Sequence, residues 1–142
     1  SIGYRRAMSR HGLPVGADDV ITLGTTTESA YRDMIVRLEE NGRLPTAFFA
    51  DNDVIALGAM RALQEKGYRV PQDVSIIGFD NIPFGEISSP RLTTIHVFKQ
   101  EMGEIAVRRL TDHINLGSTV KTKIQVCTEF VERESVRDLN ET

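Results

Sequence analysis

"TAFFADNDVIALGAMRALQEKGYRVPQDVSIIGFDN", Thr46 to Asn81, holds a strand, a helix and a second strand in one unbroken pass. "TAFFA" is a short apolar, aromatic run of the kind that fits a buried strand. Ile55, Ala59, Ala62 and Leu63 then recur on one helical face from Asn52, Lys66 and Gly67 close the helix, and Pro71 keeps it from restarting. "VSIIGF" from Val74 is again strand-like. Between the first strand and the helix stand three polar residues, Asp51, Asn52 and Asp53, although a helix needs only one of them as its N-cap.

The same alternation extends upstream. "VITL" at Val20 predicts a strand, and Thr25 to Gly42 predicts a helix with Tyr31, Met34, Ile35 and Leu38 on one face, a Thr25-x-x-Glu28 capping box and Gly42 at its stop. Strands that recur at intervals of roughly 26 to 28 residues with helices between them are βα units. The fold class is α/β, a parallel sheet flanked by helices. After Asp80 the rhythm changes: "NIPFGEISSPR" is a turn-rich connector, "LTTIHV" at Leu92 a strand, and Lys99 to Gly117 a helix with Met102, Ala106, Leu110 and Ile114 on one face. The closing "KIQVCTEFVERESV" is strand-like, with apolar points at Ile124, Val126, Phe130 and Val131. That last helix has an apolar face and no sheet left in the chain to receive it, so a segment upstream or a partner must supply one.

Length and composition narrow the function classes. A chain of 142 residues with 40% hydrophobic and 26% charged residues has the make-up of one globular domain. The net charge is −3, and the one basic concentration, Arg5, Arg6 and Arg10, reads as a solvated helix face, so the piece carries no footprint for DNA. Cys127 is the single cysteine, which excludes a disulfide framework and fits a reducing, cytoplasmic compartment. No apolar run approaches the roughly 20 residues of a membrane span, and no membrane partner is expected. The opening "SIGYRRAMSRHG" is already helical in pattern and lacks an initiating Met, so the chain reads as a fragment.

In open parallel sheets, ligands bind beyond the carboxyl ends of the strands. Three such ends are readable: "GTTT" after Leu23, Asp51-Asn52-Asp53 after "TAFFA", and Asp80-Asn81 after Phe79. Their carboxylates, amides and hydroxyls suit a polyhydroxylated, sugar-like effector, since a carboxylate can accept from two adjacent hydroxyls. Each has a plainer reading beside it. One of Asp51, Asn52 and Asp53 caps the following helix, and Thr25 to Thr27 serve capping and turn chemistry. Asp80 precedes Asn-Ile-Pro rather than a helix, which makes it the strongest ligand contact of the set. A metal centre from Asp51, Asp53 and Asp80 lacks completing ligands. His11, His96 and His113 share no spacing, and neither a nucleophile elbow nor G-x-G-x-x-G is present. No catalytic set, metal or cofactor is expected.

"LPTAFFADNDVIALGAMRALQEKGYRVPQDVSIIGFDNIPF", followed by "SPRLTTIHV" and "EFVERESV", closely resembles the effector-binding domain of the lactose-repressor/galactose-repressor family of bacterial transcription regulators, and "IGYRRAM" matches a further family helix. The resemblance implies a periplasmic-binding-protein-like fold of two subdomains with effector in the cleft between them. Residues 1–95 are then most of the C-terminal subdomain. Residues 96–126 give a helix and a strand, Lys123 to Val126, to the N-terminal subdomain, and residues 127–142 return. A DNA-binding head, a hinge helix and the first strand of the C-terminal subdomain would lie upstream.

By position the resemblance assigns effector contacts to Asn52 and Asp80. Asp51 adds a carboxylate on the same lip, and Thr26 stands where relatives often carry a ligand-packing aromatic. Val97 replaces a frequent polar cleft residue, and an effector-binding arginine of relatives would precede Ser1. The helix after Asn52 also packs across a dimer in that family, which here means an exposed face around Leu57, Met60, Arg61 and Gln64. The expected protein is thus the effector-binding and dimerisation part of a repressor-type regulator and not an enzyme, a homodimer that meets operator DNA only through its absent head. The alternative is a transport-associated sugar-binding protein of the same fold.

Overall fold

The β2 strand (Ser75–Ile77) is the axis of the structure, a computed structural model that describes residues 2–16, 19–40, 44–117 and 120–139. On one side β1 (Ala47–Phe49) pairs with it in parallel, Phe48 opposite Ile76. On the other, β3 (Thr94–His96) joins through two parallel bridges, Ile77 with Thr93 and Asp80 with His96. The last strand, β4 (Glu129–Val131), runs antiparallel along β3 in the register Thr94 to Val131. Three strands therefore end at the same edge, which is the geometry that βα units with right-handed crossovers produce.

Helices α2 (Thr27–Glu39) and α3 (Asp53–Glu65) cover one face. Their contact is close because the residues at it are small. A Cβ at Gly58 would overlap the carbonyl of Thr27, and Ala30, Ala56 and Ala62 are fully buried around it. Met34, Leu63, Val74, Ile76 and Leu92 complete the core, and each large aliphatic so buried contributes about 1.5–3 kcal/mol. Helix α3 ends in a glycine cap: Tyr68 N–H donates to Leu63 O at 3.0 Å and Gly67 N–H to Gln64 O at 3.0 Å, with Gly67 at φ 86°.

The C-terminal segment threads back between β2 and β3. Ser135, fully buried, donates from Oγ to Ile76 O (2.6 Å) and accepts from Thr93 N–H (2.8 Å), while Ile76 N–H donates to Ser135 O (2.8 Å). Two further helices stand outside this core. Neither α1 (Ile2–Arg10) nor α5 (Lys99–Leu116) has a buried residue, and a short α4 (Phe84–Ile87) lies in the connector.

Several sequence expectations are corrected. Val20 to Leu23 forms no strand, because no neighbouring strand among the described residues offers it a ladder. The capping box at α2 is one residue later than expected: Thr26 is the N-cap, and Ser29 rather than Glu28 reciprocates. Lys123 to Val126 has no ladder partner either. Gly42, expected to stop α2, lies outside the described residues. Met60 is only 3% exposed and belongs to the core, so it is not on the open face of α3.

Candidate functional site

Two left-handed residues mark the carboxyl end of β2. Asp80 has φ 111° and Asn81 φ 53°, a region that costs a residue with a side chain of order 1–3 kcal/mol and persists only where its surroundings enforce it. They do so here through Asp53, whose function in the chain was the hardest to read from sequence. Asp53 is 0% exposed. Its Oδ2 accepts from Ile82 N–H (2.8 Å), its Oδ1 from the Thr94 hydroxyl (2.5 Å), and its own N–H donates to Phe79 O (2.8 Å). One buried aspartate thus clamps both sides of the turn, Phe79 by its backbone N–H and Ile82 by its carboxylate, and Gly78 is needed beside it because a Cβ there would sit on Asp53 Oδ1. The signal available in the sequence was the surplus carboxylate after the capping residue.

The turn presents Asp80 at the strand edge. Its N–H donates to Ile95 O (2.9 Å), and Lys99 Nζ donates to its carbonyl (2.6 Å) and stands 3.5 Å from Oδ1. Oδ2 has no partner among the described residues. No buried side-chain polar atom among those residues is left unsatisfied, so this oxygen is reached by solvent. Asn52, next to the clamp, is the N-cap of α3: Oδ1 accepts from Ile55 N–H (2.9 Å), and its NH2 group has no partner among the described residues and is likewise open. The structure therefore brings Asn52 and Asp80 to one junction, each next to a residue bonded directly to its counterpart.

The remaining expected contacts sit differently. Thr26 takes Ser29 N–H on its Oγ1 (3.1 Å) and shares a 2.7 Å hydroxyl contact with Ser29 Oγ, so helix capping accounts for its hydroxyl. Asp51 is exposed beside Asn52. On α3, Leu57 packs partly against the core, Arg61 is exposed over the Tyr31 ring at 4.7 Å, and Gln64 donates to Ser89 O (2.7 Å). Among the described residues no three His, Cys, Asp or Glu side chains converge to hold a metal, and no helix is long and apolar enough to cross a membrane.

A second open feature lies on α5. Met102, Leu110 and Ile114 are exposed, and Met102 and Leu110 line a cavity of about 470 Å³ together with Val120, Ile124 and Val126. Arg109 Nε donates to Thr122 Oγ1 (3.1 Å) across it.

Residues 1–136 match the family model described as periplasmic binding protein-like domain. The HTH-type transcriptional repressor PurR of Pasteurella multocida is 44% identical over 135 residues, which are 95% of this chain and 40% of that protein. A LacI-type transcription regulator from Bifidobacterium animalis subsp. lactis superposes with a TM-score of 0.86 at 34% identity, over 95% of this chain and 48% of that one. A LacI family transcriptional regulator from Enterococcus faecium, with bound ribose, gives a TM-score of 0.83 at 30% identity, over 97% and 50%. The chain spans about 40% of the length of the curated relatives it matches.

Proposed function

The chain belongs to the periplasmic binding protein-like domain family, with LacI-family regulators among its relatives, and we propose that it is the effector-binding and dimerisation part of a bacterial repressor. The effector is a sugar or sugar-like molecule. The observation that carries this reading is the Asp80 turn: a carboxylate with a free oxygen, held in a left-handed conformation by a buried aspartate, at one junction with the open NH2 group of Asn52. A strained turn clamped by a buried charge is a costly way to end a strand, and it makes sense as a preorganised acceptor for hydroxyls. Asp51 extends the same lip.

On this reading residues 1–95 are most of one subdomain, residues 96–126 cross to a second, and residues 127–142 return. The uncovered face of α5 supports the crossing. Homodimerisation uses the exposed part of α3 at Arg61 and Gln64 with Leu57 at its edge, and operator DNA is met through a head domain outside this chain. Effector binds one cleft arrangement better than the other and shifts their populations by that difference. The protein works in the cytoplasm, where its operator is, and catalyses no reaction.

The test is a thermal-shift panel of sugars and sugar phosphates on the intact protein. At least one raises the melting midpoint, and Asp80→Ala abolishes that rise while the ligand-free midpoint stays close to wild type. An Asp80→Ala protein that is stabilised as before removes Asp80 from the site.

A further inference from the structure

His96 ends β3 with Asp80 as its bridge partner on one side and Glu129 on the other. Its ring stands edge-on to Phe98, with centroids 4.6 Å apart and planes at 81°. Nδ1 lies 3.1 Å from Asn81 Nδ2. Two nitrogens at that distance form a hydrogen bond in only one arrangement of protons, and Arg133 decides which. A guanidinium has donors and no acceptor, and Arg133 Nη2 meets Asn81 Oδ1 at 2.7 Å. The amide oxygen must therefore face Arg133, which turns the NH2 group toward His96. An amide NH2 only donates, so Nδ1 carries the lone pair and the neutral ring holds its proton on Nε2.

Arg133 is itself held in place. Its side chain is 9% exposed, Nη1 donates to Leu92 O (2.9 Å) and Nη2 also to Glu86 Oε1 (3.0 Å). At the other end, Nε2 has no partner among the described residues, and since none of their buried side-chain polar atoms is unsatisfied, it is open to solvent. An N–H donor thus stands at the strand edge on the residue bridged to Asp80, whose carboxylate can only accept.

We propose that His96, bridged to Asp80 across the sheet, is a hydrogen-bond donor of the effector cleft, its proton kept on Nε2 because Asn81, fixed by Arg133, occupies Nδ1. The group recognised is a hydroxyl that donates to Asp80 and accepts from His96. The inference rests on the effector-binding reading of this edge. Arg133 and Asn81 are positioning residues, acting through the tautomer they select.

The experiment has two arms on the intact protein. In the first, long-range proton–nitrogen correlation NMR of the labelled imidazole is recorded at about pH 8, above the ordinary histidine range. Wild type shows the Nε2–H pattern. Asn81→Asp replaces the donor with an acceptor, still pairs with Arg133 and tolerates a left-handed φ, and it converts the ring to Nδ1–H. A wild-type Nδ1–H pattern overturns the lock.

In the second arm, calorimetric affinity is measured with whichever of D-ribose, D-glucose and lactose raises the melting midpoint most. Asn81→Asp and His96→Phe weaken binding about tenfold, whereas His96→Gln, which keeps an N–H donor and folds independently of the Asn81 change, stays within about threefold. Unchanged affinity in His96→Phe overturns the donor role. Absence of a shift with all three sugars overturns the donor role toward these sugars' hydroxyls, while the NMR arm still decides the tautomer and the wider panel of sugars and sugar phosphates decides the effector reading.

Discussion

Helices α3 and α5 carry similar apolar patterns, yet α3 buries seven of its 13 residues and α5 none of its 18. The pattern states that a face must be covered without stating what covers it. For α3 the cover is local, α2 on one flank and β2 beneath. For α5 the face ends in an open cavity lined by its own apolar side chains and the segment after it. One helix belongs to a finished core and the other to an unfinished one.

The widest gap should appear in core truncations. Leu63→Ala, fully buried on α3, lowers stability to urea by about 2–5 kcal/mol. Leu110→Ala on α5, 60% exposed, changes it by less than about 0.5 kcal/mol in this chain. Equal losses would show that α5 is covered within the chain. Asp53→Ala comes next at about 2–3 kcal/mol, since it strips the Ile82 N–H and the buried Thr94 hydroxyl of their acceptor. It should also remove any sugar-induced rise in melting midpoint, because the Asp80 turn loses its clamp. A variant that keeps that rise would break the link between the finished core and the site.

Smaller effects refine the boundary of the core. Thr26→Ala costs about 1 kcal/mol and Thr25→Ala close to nothing in the same urea assay, if Thr26 is the cap that completes α2. The reverse order would restore the earlier register. Least of all is the contribution of Asp73, between α3 and β2. The Arg69 side chain beside it, and then Arg69 N–H, hold its carboxyl down from 3.8 to about 2. A lowered folded value stabilises above the unfolded value and is lost as pH falls through the folded one. The melting-midpoint difference between wild type and Asp73→Asn should therefore persist at neutral pH and close between about pH 4 and pH 2.

What could be read in the sequence was whatever depends on local period and punctuation. The helices at Thr27–Glu39, Asp53–Glu65 and Lys99–Leu116, and strands at Ala47, Ser75 and Thr94, follow from apolar spacing and stop signals. Partner-dependent features did not follow. Val20 to Leu23 and Lys123 to Val126 have strand composition but no ladder, and a strand exists only as half of a pair. Among three consecutive threonines the Thr25-x-x-Glu28 pattern pointed to the wrong cap, because Ser29 reciprocates with Thr26 and moves the register by one. At the site, Asn52 and Asp80 stood out as polar residues at strand ends. Asp53 stood out only as a surplus carboxylate and Arg133 not at all, because their roles consist of bonds to residues 29 and 52 positions away.

Ser135 has a consequence for the order in which the protein can be made. Its two side-chain bonds close the space between β2 and β3 across separations of 59 and 42 residues. A ribosome that has released every strand of the parallel sheet has released β2 and β3 able to pair at Ile77–Thr93 and Asp80–His96, but not yet the hydroxyl that bonds both Ile76 O and Thr93 N–H. The nascent chain must hold β2 and β3 ready through all of α5 and the segment beyond before the serine that joins them emerges. Completion of the sheet is thus timed by Ser135, and a chain that stops before it has its strands in the right order with the Ile76 carbonyl and the Thr93 N–H still lacking this partner.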